Sequence, residues 1–123
     1  MIIFYVFMFV MTLLIPATML VFGYLWKKKP PEKINYGYGY RTKRSMASKE
    51  AWNFAHKHCG ATWVKLGWFT GVISVLLMIV LPFITLETVV VSIVSLVIVF
   101  LQMIPLIAPL ITTERALKRE FKI

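Results

Sequence analysis

Three long apolar runs, separated by short polar and basic segments, make up this chain. No charged residue occurs in residues 1–26, 66–86 or 88–113. Each run exceeds the ~20 residues that an α-helix, rising about 1.5 Å per residue, needs to cross a hydrocarbon core of roughly 30 Å. The pattern therefore predicts an all-α membrane protein with three transmembrane helices, at approximately residues 2–26, 66–86 and 88–113.

The segment between the first two runs, residues 27–65, carries a different pattern. A proline pair ends the first helix, and two glycines interleaved with tyrosines predict an ordered turn. Ser48 is a good N-cap for a following helix, in which apolar residues recur at three- and four-residue steps. We expect this amphipathic helix to lie in the cytoplasmic interface and to lead into the second span. Its polar side carries Lys49, Asn53, His56, Lys57 and Gly60.

The distribution of positive charge orients these helices. Of the fourteen Lys and Arg residues, ten lie in residues 27–65 and four in residues 115–122. None precedes the first run or separates the last two. Because membrane proteins keep basic residues on the cytoplasmic side, we expect the N-terminus outside and residues 27–65 inside. Residues 114–123 form a cytoplasmic tail in this topology.

Composition fits a single membrane domain over residues 1–123. The chain is 59% apolar and 15% charged, with a mean hydropathy of +0.78. Its net charge of +9 matches the anionic headgroups of a lipid bilayer and needs no nucleic acid to explain it. We expect the first run to be a retained helix rather than a cleaved signal peptide, because no basic residue precedes it and three lysines follow it.

Small and polar residues within the runs predict contacts between the helices. Pro16 lacks the N–H that would bond to the carbonyl of Thr12, which predicts a mild kink. Gly67-x-x-x-Gly71 permits the close approach of another span, which we favour over a dimer seam, while a homodimer remains an open alternative. Gln102 is the one amide in a predicted span, so it needs a partner inside the bundle.

The residue inventory points to recognition rather than catalysis. The chain has no Asp, and its five Glu residues are scattered outside the spans, so we predict no enzyme and no cofactor. His56 and Cys59 share a helix face, but two ligands fall short of the four that a structural zinc site uses. The guanidinium of Arg41 can form a bidentate pair of hydrogen bonds with a phosphate or a carboxylate. The candidates for that group are a lipid headgroup, a peptide terminus and Glu50 of this chain.

The polar segment resembles the SdpI family of small bacterial membrane proteins. The resemblance rests on Gly39-Tyr40-Arg41-Thr42, then Ser45, then Trp52-x-x-Ala55-His56 and Gly60, and on a motif loop that follows one span and precedes two. The family is named for an immunity protein that protects a Bacillus from its own secreted toxin peptide. That founding member has further spans and also resembles a signalling receptor that sequesters a repressor. The motif or binding residues implied here are Tyr40, Arg41, Thr42, Ser45, Trp52, Asn53, His56 and Gly60.

The resemblance implies an immunity or resistance protein in the bacterial cytoplasmic membrane. Its bundle would bind a membrane-active toxin peptide, with a cytosolic regulator as a further partner. In that reading Arg41 supplies charge, Ser45 a hydroxyl, Trp52 an interfacial anchor and His56 a polar contact. The alternative is a membrane adaptor or transport-type component, whose basic loop docks a cytosolic protein or an anionic lipid.

Overall fold

A computed structural model describes residues 2–34 and 37–122 and consists of three long helices. Helix α1 covers Ile2–Lys28, α2 covers Lys49–Ile84 and α3 covers Thr88–Phe121, and a single 3₁₀ turn, Ser45–Ala47, precedes α2. Each long helix is long and apolar enough to cross a membrane. The predicted all-α class with three spans is confirmed.

The helix boundaries follow from local chemistry. Helix α1 ends at Lys28, just before a proline pair that disfavours helical geometry in the residue preceding it. Helix α2 begins after Ser48, whose side-chain oxygen accepts the N–H of Ala51 at 3.0 Å. The predicted N-cap is therefore present, and it satisfies one of the donors that every helix leaves open in its first turn.

The expected interfacial helix is not a separate element. Residues 49–65 are the first turns of α2, which continues without a break to Ile84 over 36 residues. No proline interrupts residues 49–81, so nothing turns the helix into the membrane plane. At about 1.5 Å per residue α2 exceeds the hydrocarbon thickness, which leaves its charged first half, before Leu66, outside the membrane-spanning stretch. Residues 114–121 likewise continue α3 rather than forming a distinct tail helix.

The first half of α2 is buried on the side that the sequence pattern assigned to polar residues. His56 is fully buried and Gly60 is also buried, although both were predicted on the polar side. The prediction was wrong because α2 stands upright in the bundle, where α1 and the loop before α2 cover that side. Lys49 and Lys57 do remain exposed.

Helices α1 and α2 meet along a line of glycines. A Cβ atom built on Gly60 would lie 2.7 Å from the carbonyl oxygen of Gly23. Farther along the same seam, Gly67 packs against Leu20, and a Cβ on Gly71 would make an ordinary 3.4 Å contact with the ring of Pro16. The Gly67-x-x-x-Gly71 motif thus contacts another span of the same chain, as predicted.

One polar cluster joins all three helices in the middle of the bundle. The side-chain nitrogen of Gln102 donates to the carbonyl of Thr12 at 2.7 Å and to the hydroxyl of Ser74 at 2.8 Å. Because Pro16 has no N–H, the Thr12 carbonyl lacks its helical donor, and Gln102 supplies the replacement. The predicted partner of the buried amide is therefore found.

Candidate functional site

A buried histidine holds in place the loop that connects α1 to α2, residues 29–44, of which 35 and 36 lie outside the described part of the chain. His56 accepts the backbone N–H of Tyr40 on Nε2 at 2.7 Å, and its Nδ1 lies 2.8 Å from the carbonyl oxygen of Trp52. Since Nε2 accepts, Nδ1 carries the proton and donates to that carbonyl. Burial lowers the pKa of His56, and Lys49 adds to the effect. Geometry and electrostatics therefore both favour the neutral imidazole.

Aromatic rings enclose this histidine. The ring centres of Trp52, Trp26 and Tyr40 lie 4.4, 4.8 and 6.4 Å from that of His56. Trp52 is fully buried, and its Nε1 donates to the carbonyl of Pro31 at 2.8 Å. The expected interfacial anchor is thus a buried side chain that ties the start of the loop to α2.

Gly39 lets the loop lie directly on this aromatic cluster. Its φ of 116° is a backbone conformation that residues with a Cβ rarely adopt. A Cβ at this position would also lie 2.6 Å from Nε2 of His56 and 3.1 Å from the ring of Trp52. Both the backbone angle and the available space therefore require glycine.

Ser45 and Thr42 close the loop through reciprocal hydrogen bonds. The N–H of Thr42 donates to the Ser45 hydroxyl at 2.8 Å, and the N–H of Ser45 donates to the Thr42 hydroxyl at 3.1 Å. The Ser45 hydroxyl in turn lies 2.9 Å from the carbonyl of Tyr40, to which it donates. Ser45 is fully buried, so its hydroxyl stabilises the fold of the loop.

Glu114, at the loop end of α3, is the member of the site that sequence analysis missed. Its carboxylate accepts the hydroxyl of Tyr40 at 2.8 Å and that of Thr42 at 2.9 Å, and it lies 3.5 Å from the guanidinium of Arg44. Burial and the neighbouring Glu114 raise the pKa of Tyr40, which keeps its hydroxyl protonated and donating. A carboxylate directly following the last apolar run was the available signal, but its partners lie 70 to 74 residues away in sequence.

The remaining predicted site residues surround this network. Arg41 lies at the exposed surface of the loop, next to the buried Tyr40. Asn53 is half-buried on α2, directly after Trp52. Gly60 lies one turn beyond His56 and forms the closest contact with α1. Of the predicted set, Tyr40, Thr42, Ser45, Trp52 and His56 thus hold the loop, Gly60 packs against α1, Asn53 is half-buried on α2, and Arg41 lies at the loop surface.

The second histidine makes a separate contact. The Nδ1 of His58 lies 3.0 Å from the hydroxyl of Thr113, and its ring stacks on Phe54 with centres 5.7 Å apart. His58 therefore connects α2 to α3 on another face from His56. Within residues 2–34 and 37–122, no group of three His, Cys, Asp or Glu side chains gathers to hold a metal ion.

Comparisons with known proteins identify the family. Residues 32–113, two thirds of the chain, match the SdpI/YfhL protein family, and the chain belongs to it. It is 41% identical over 49 residues to a protein named uncharacterized protein YfhL from Bacillus subtilis (strain 168). That alignment covers 40% of this chain and 44% of the relative, less than half the length of either. No solved structure matches. Family and helices together make this a multi-pass membrane protein, and all eight predicted site residues lie in the matched region.

Proposed function

We propose that this membrane protein of the SdpI/YfhL family confers immunity or resistance to a membrane-active peptide. The bundle binds the peptide within the bilayer and prevents it from damaging the membrane. In this proposal the protein resides in the bacterial cytoplasmic membrane, with the loop and both basic segments facing the cytoplasm. The family assignment and the one-sided distribution of Lys and Arg support this reading.

The observation that carries the proposal is the anchoring of the described loop residues, at Pro31 and at residues 40–45, to the helices. His56 and Trp52 bind it to α2, while Glu114 binds it to α3. A surface that is already ordered loses little conformational entropy on binding, so it recognises a partner at lower cost than a flexible loop. Arg41 is the cationic, forked side chain that this preorganised surface presents.

Binding rather than catalysis accounts best for the same geometry. Both ring nitrogens of His56 are engaged in hydrogen bonds inside the aromatic cluster. Glu114 already receives two hydroxyl donors and faces Arg44. Neither side chain is positioned as an unoccupied acid or base beside an open cleft. Turnover of a lipid that depended on His56 would contradict this part of the proposal.

A groove between α2 and α3 offers the peptide a place to bind from the lipid phase. Its volume is about 400 Å³, and apolar side chains such as Leu66 and Ile98 form most of its lining. Thr70, Ser74 and Gln102 add polar groups at the depth of the apolar runs. A mostly apolar groove with a few polar groups is the usual form of a binding site for an apolar ligand.

The decisive experiment is survival of a susceptible bacterium challenged with a panel of membrane-active peptides, with and without this protein. We expect wild-type protein to protect against at least one peptide. Arg41→Ala should abolish protection while the protein still inserts at normal levels. Lys43→Ala removes a neighbouring exposed cation and is the matched control, which should retain protection. Full protection by Arg41→Ala at matched expression would refute the site assignment.

A second candidate is an adaptor that docks a cytosolic protein. The loop and the exposed Arg115, Lys118 and Arg119 of α3 present positive charge at the same end of the bundle, which favours an acidic partner. Capture of one cytosolic protein by the wild type, lost when Arg115 and Arg119 are changed to Gln, would support this candidate. Peptide protection that needs no cytosolic protein would exclude it.

A further inference from the structure

A second groove lies between α1 and α2, on the lipid-facing side of the glycine seam. It has a volume of about 360 Å³. Ala17 on one wall and Gly67 and Gly71 on the other are its small lining residues. The rest of its lining is apolar, and the groove follows the helices for several turns.

An aromatic pair spans the loop-side end of this groove. The indole N–H of Trp68 donates to the hydroxyl of Tyr24 at 2.9 Å and so links α2 to α1. Both side chains are exposed, with 54% of Trp68 and 45% of Tyr24 accessible. Trp and Tyr with this exposure are characteristic of the boundary between hydrocarbon and headgroups.

Two lysines lie one helical turn beyond that pair. Lys28 follows Tyr24 by four residues on α1, and Lys65 precedes Trp68 by three residues on α2. Residues three and four apart share a helix face, so both lysines continue the groove toward the loop end of the bundle. Both are exposed, and within the described part of the chain neither forms an ion pair.

We propose that this groove is a binding site for an anionic phospholipid. One acyl chain lies in the groove, the glycerol region lies at the Tyr24–Trp68 pair, and the phosphate lies between Lys28 and Lys65. Charge complementarity selects this occupant, because Lys28 and Lys65 form no ion pair with any described residue and lie where a headgroup phosphate would lie. Neither groove carries a charged residue in its own lining, so the headgroup contact rests on the two lysines beyond the aromatic pair.

The test measures lipid contact by tryptophan quenching with the full chain in vesicles. The vesicles are phosphatidylcholine with a minority of phosphatidylglycerol, and bromine atoms on the acyl chains of one lipid at a time quench the indoles they touch. We expect brominated phosphatidylglycerol to quench more than its share of the bilayer predicts. Trp68→Phe should remove this excess, because Trp68 is the exposed indole at the groove, whereas Trp26 and Trp52 are buried.

Charge variants then test the headgroup contact. Lys28→Gln with Lys65→Gln should reduce the preference for phosphatidylglycerol by about tenfold or more, given about 1 kcal/mol per lysine near the surface. Lys118→Gln with Lys122→Gln removes the same charge from exposed positions in and directly after the last turn of α3 and should leave the preference unchanged. Quenching by brominated phosphatidylglycerol in proportion to its share of the bilayer in the wild type, or an undiminished preference in the first double variant, would overturn the proposal. Binding of soluble glycerol phosphate without any excess acyl-chain quenching of Trp68 would show that the lysines bind free phosphate instead of a lipid.

Discussion

The bundle contains two polar networks with different structural roles, one at the loop end and one in the middle. At the loop end, Glu114 and His56 accept hydrogen bonds from the loop, and Arg44 forms an ion pair with the Glu114 carboxylate. In the middle, Gln102 bonds to Thr12 and Ser74 without any charged member. The first network holds an irregular loop in place, whereas the second holds three regular helices together.

The difference follows from depth in the membrane. A charge in hydrocarbon is costly, and an unpaired backbone carbonyl there costs free energy as well. The middle network therefore consists of neutral groups and repairs the single carbonyl that Pro16 leaves open. The loop end borders water, so it tolerates a carboxylate whose side chain is 23% exposed and an arginine that is 39% exposed. Polar contacts at the two levels should consequently respond differently to mutation and to pH.

The largest expected effect concerns the close packing of α2 against α1 at Gly60. Gly60→Ala places a Cβ 2.7 Å from the backbone oxygen of Gly23, which no side-chain rotation relieves. We expect a loss of about 3 kcal/mol in the free energy of unfolding, the upper end for overpacking. Gly71→Ala is the matched control, since its Cβ would make only a 3.4 Å contact, and it should be neutral or slightly stabilising. Denaturant unfolding in detergent micelles measures both, and equal losses would contradict the tight seam at Gly60.

The next largest effect concerns the carboxylate at the loop end. Glu114→Ala removes the acceptor of the Thr42 hydroxyl and leaves the Tyr40 hydroxyl only the carbonyl of Leu110 at 3.2 Å, so it should cost about 2 kcal/mol. Arg44→Ala removes a partly exposed ion pair at 3.5 Å, whose loss should cost less than about 1 kcal/mol. Limited trypsin digestion at the loop lysines and arginines reports the release of the loop. Faster cleavage in Arg44→Ala than in Glu114→Ala would show that the ion pair, and not the hydroxyl bonds, holds the loop.

A smaller effect tests the middle network. Gln102→Leu deprives the Thr12 carbonyl of its donor and should lower the free energy of unfolding by about 1 kcal/mol. Pro16→Ala restores a backbone N–H for that carbonyl, so Gln102→Leu should cost less in the Pro16→Ala background. A double-mutant cycle in micelles gives the coupling between the two positions. Strictly additive losses would show that Gln102 does not substitute for the missing helical bond.

The smallest expected effect is a pH dependence of the loop-end network, caused by protonation of His56. Burial holds the pKa of His56 below its usual value of 6.5, so the unfolded chain binds the proton more readily than the folded one. The contribution of neutral His56 is therefore complete above about pH 6.5 and is lost as the pH falls below it. Loop cleavage by a protease active in acid should rise over that interval, since protonated Nε2 cannot accept the N–H of Tyr40.

Two variants assign this pH dependence. His56→Gln should make loop cleavage independent of pH in this interval. The pKa of His58 is also lowered by burial, so His58→Gln is the control and should keep the pH dependence of the loop. Persistence of the full effect in His56→Gln would assign the titration to another group.

Much of the fold and part of the site follow from local pattern. Three uncharged runs predicted three spans, and observed helices α1, α2 and α3 contain nearly all of each run. The Ser48 cap, the glycine contact with another span and the need of Gln102 for a partner were also predicted and are confirmed. These inferences succeed because length, capping and the cost of an unpaired amide depend on the nearby chain and on the membrane.

The sequence by itself determined the class of protein, the number of spans and the segment that carries the motif. Only the tertiary structure decided that residues 49–65 stand upright within α2, that His56 and Trp52 are buried beneath the loop, and that Glu114 completes the network. Hydrophobic periodicity indicates that one face of a helix is buried, but not which segment packs against that face. The partners of Glu114 come from a loop 70 to 74 residues earlier, and no local pattern encodes a contact over that distance.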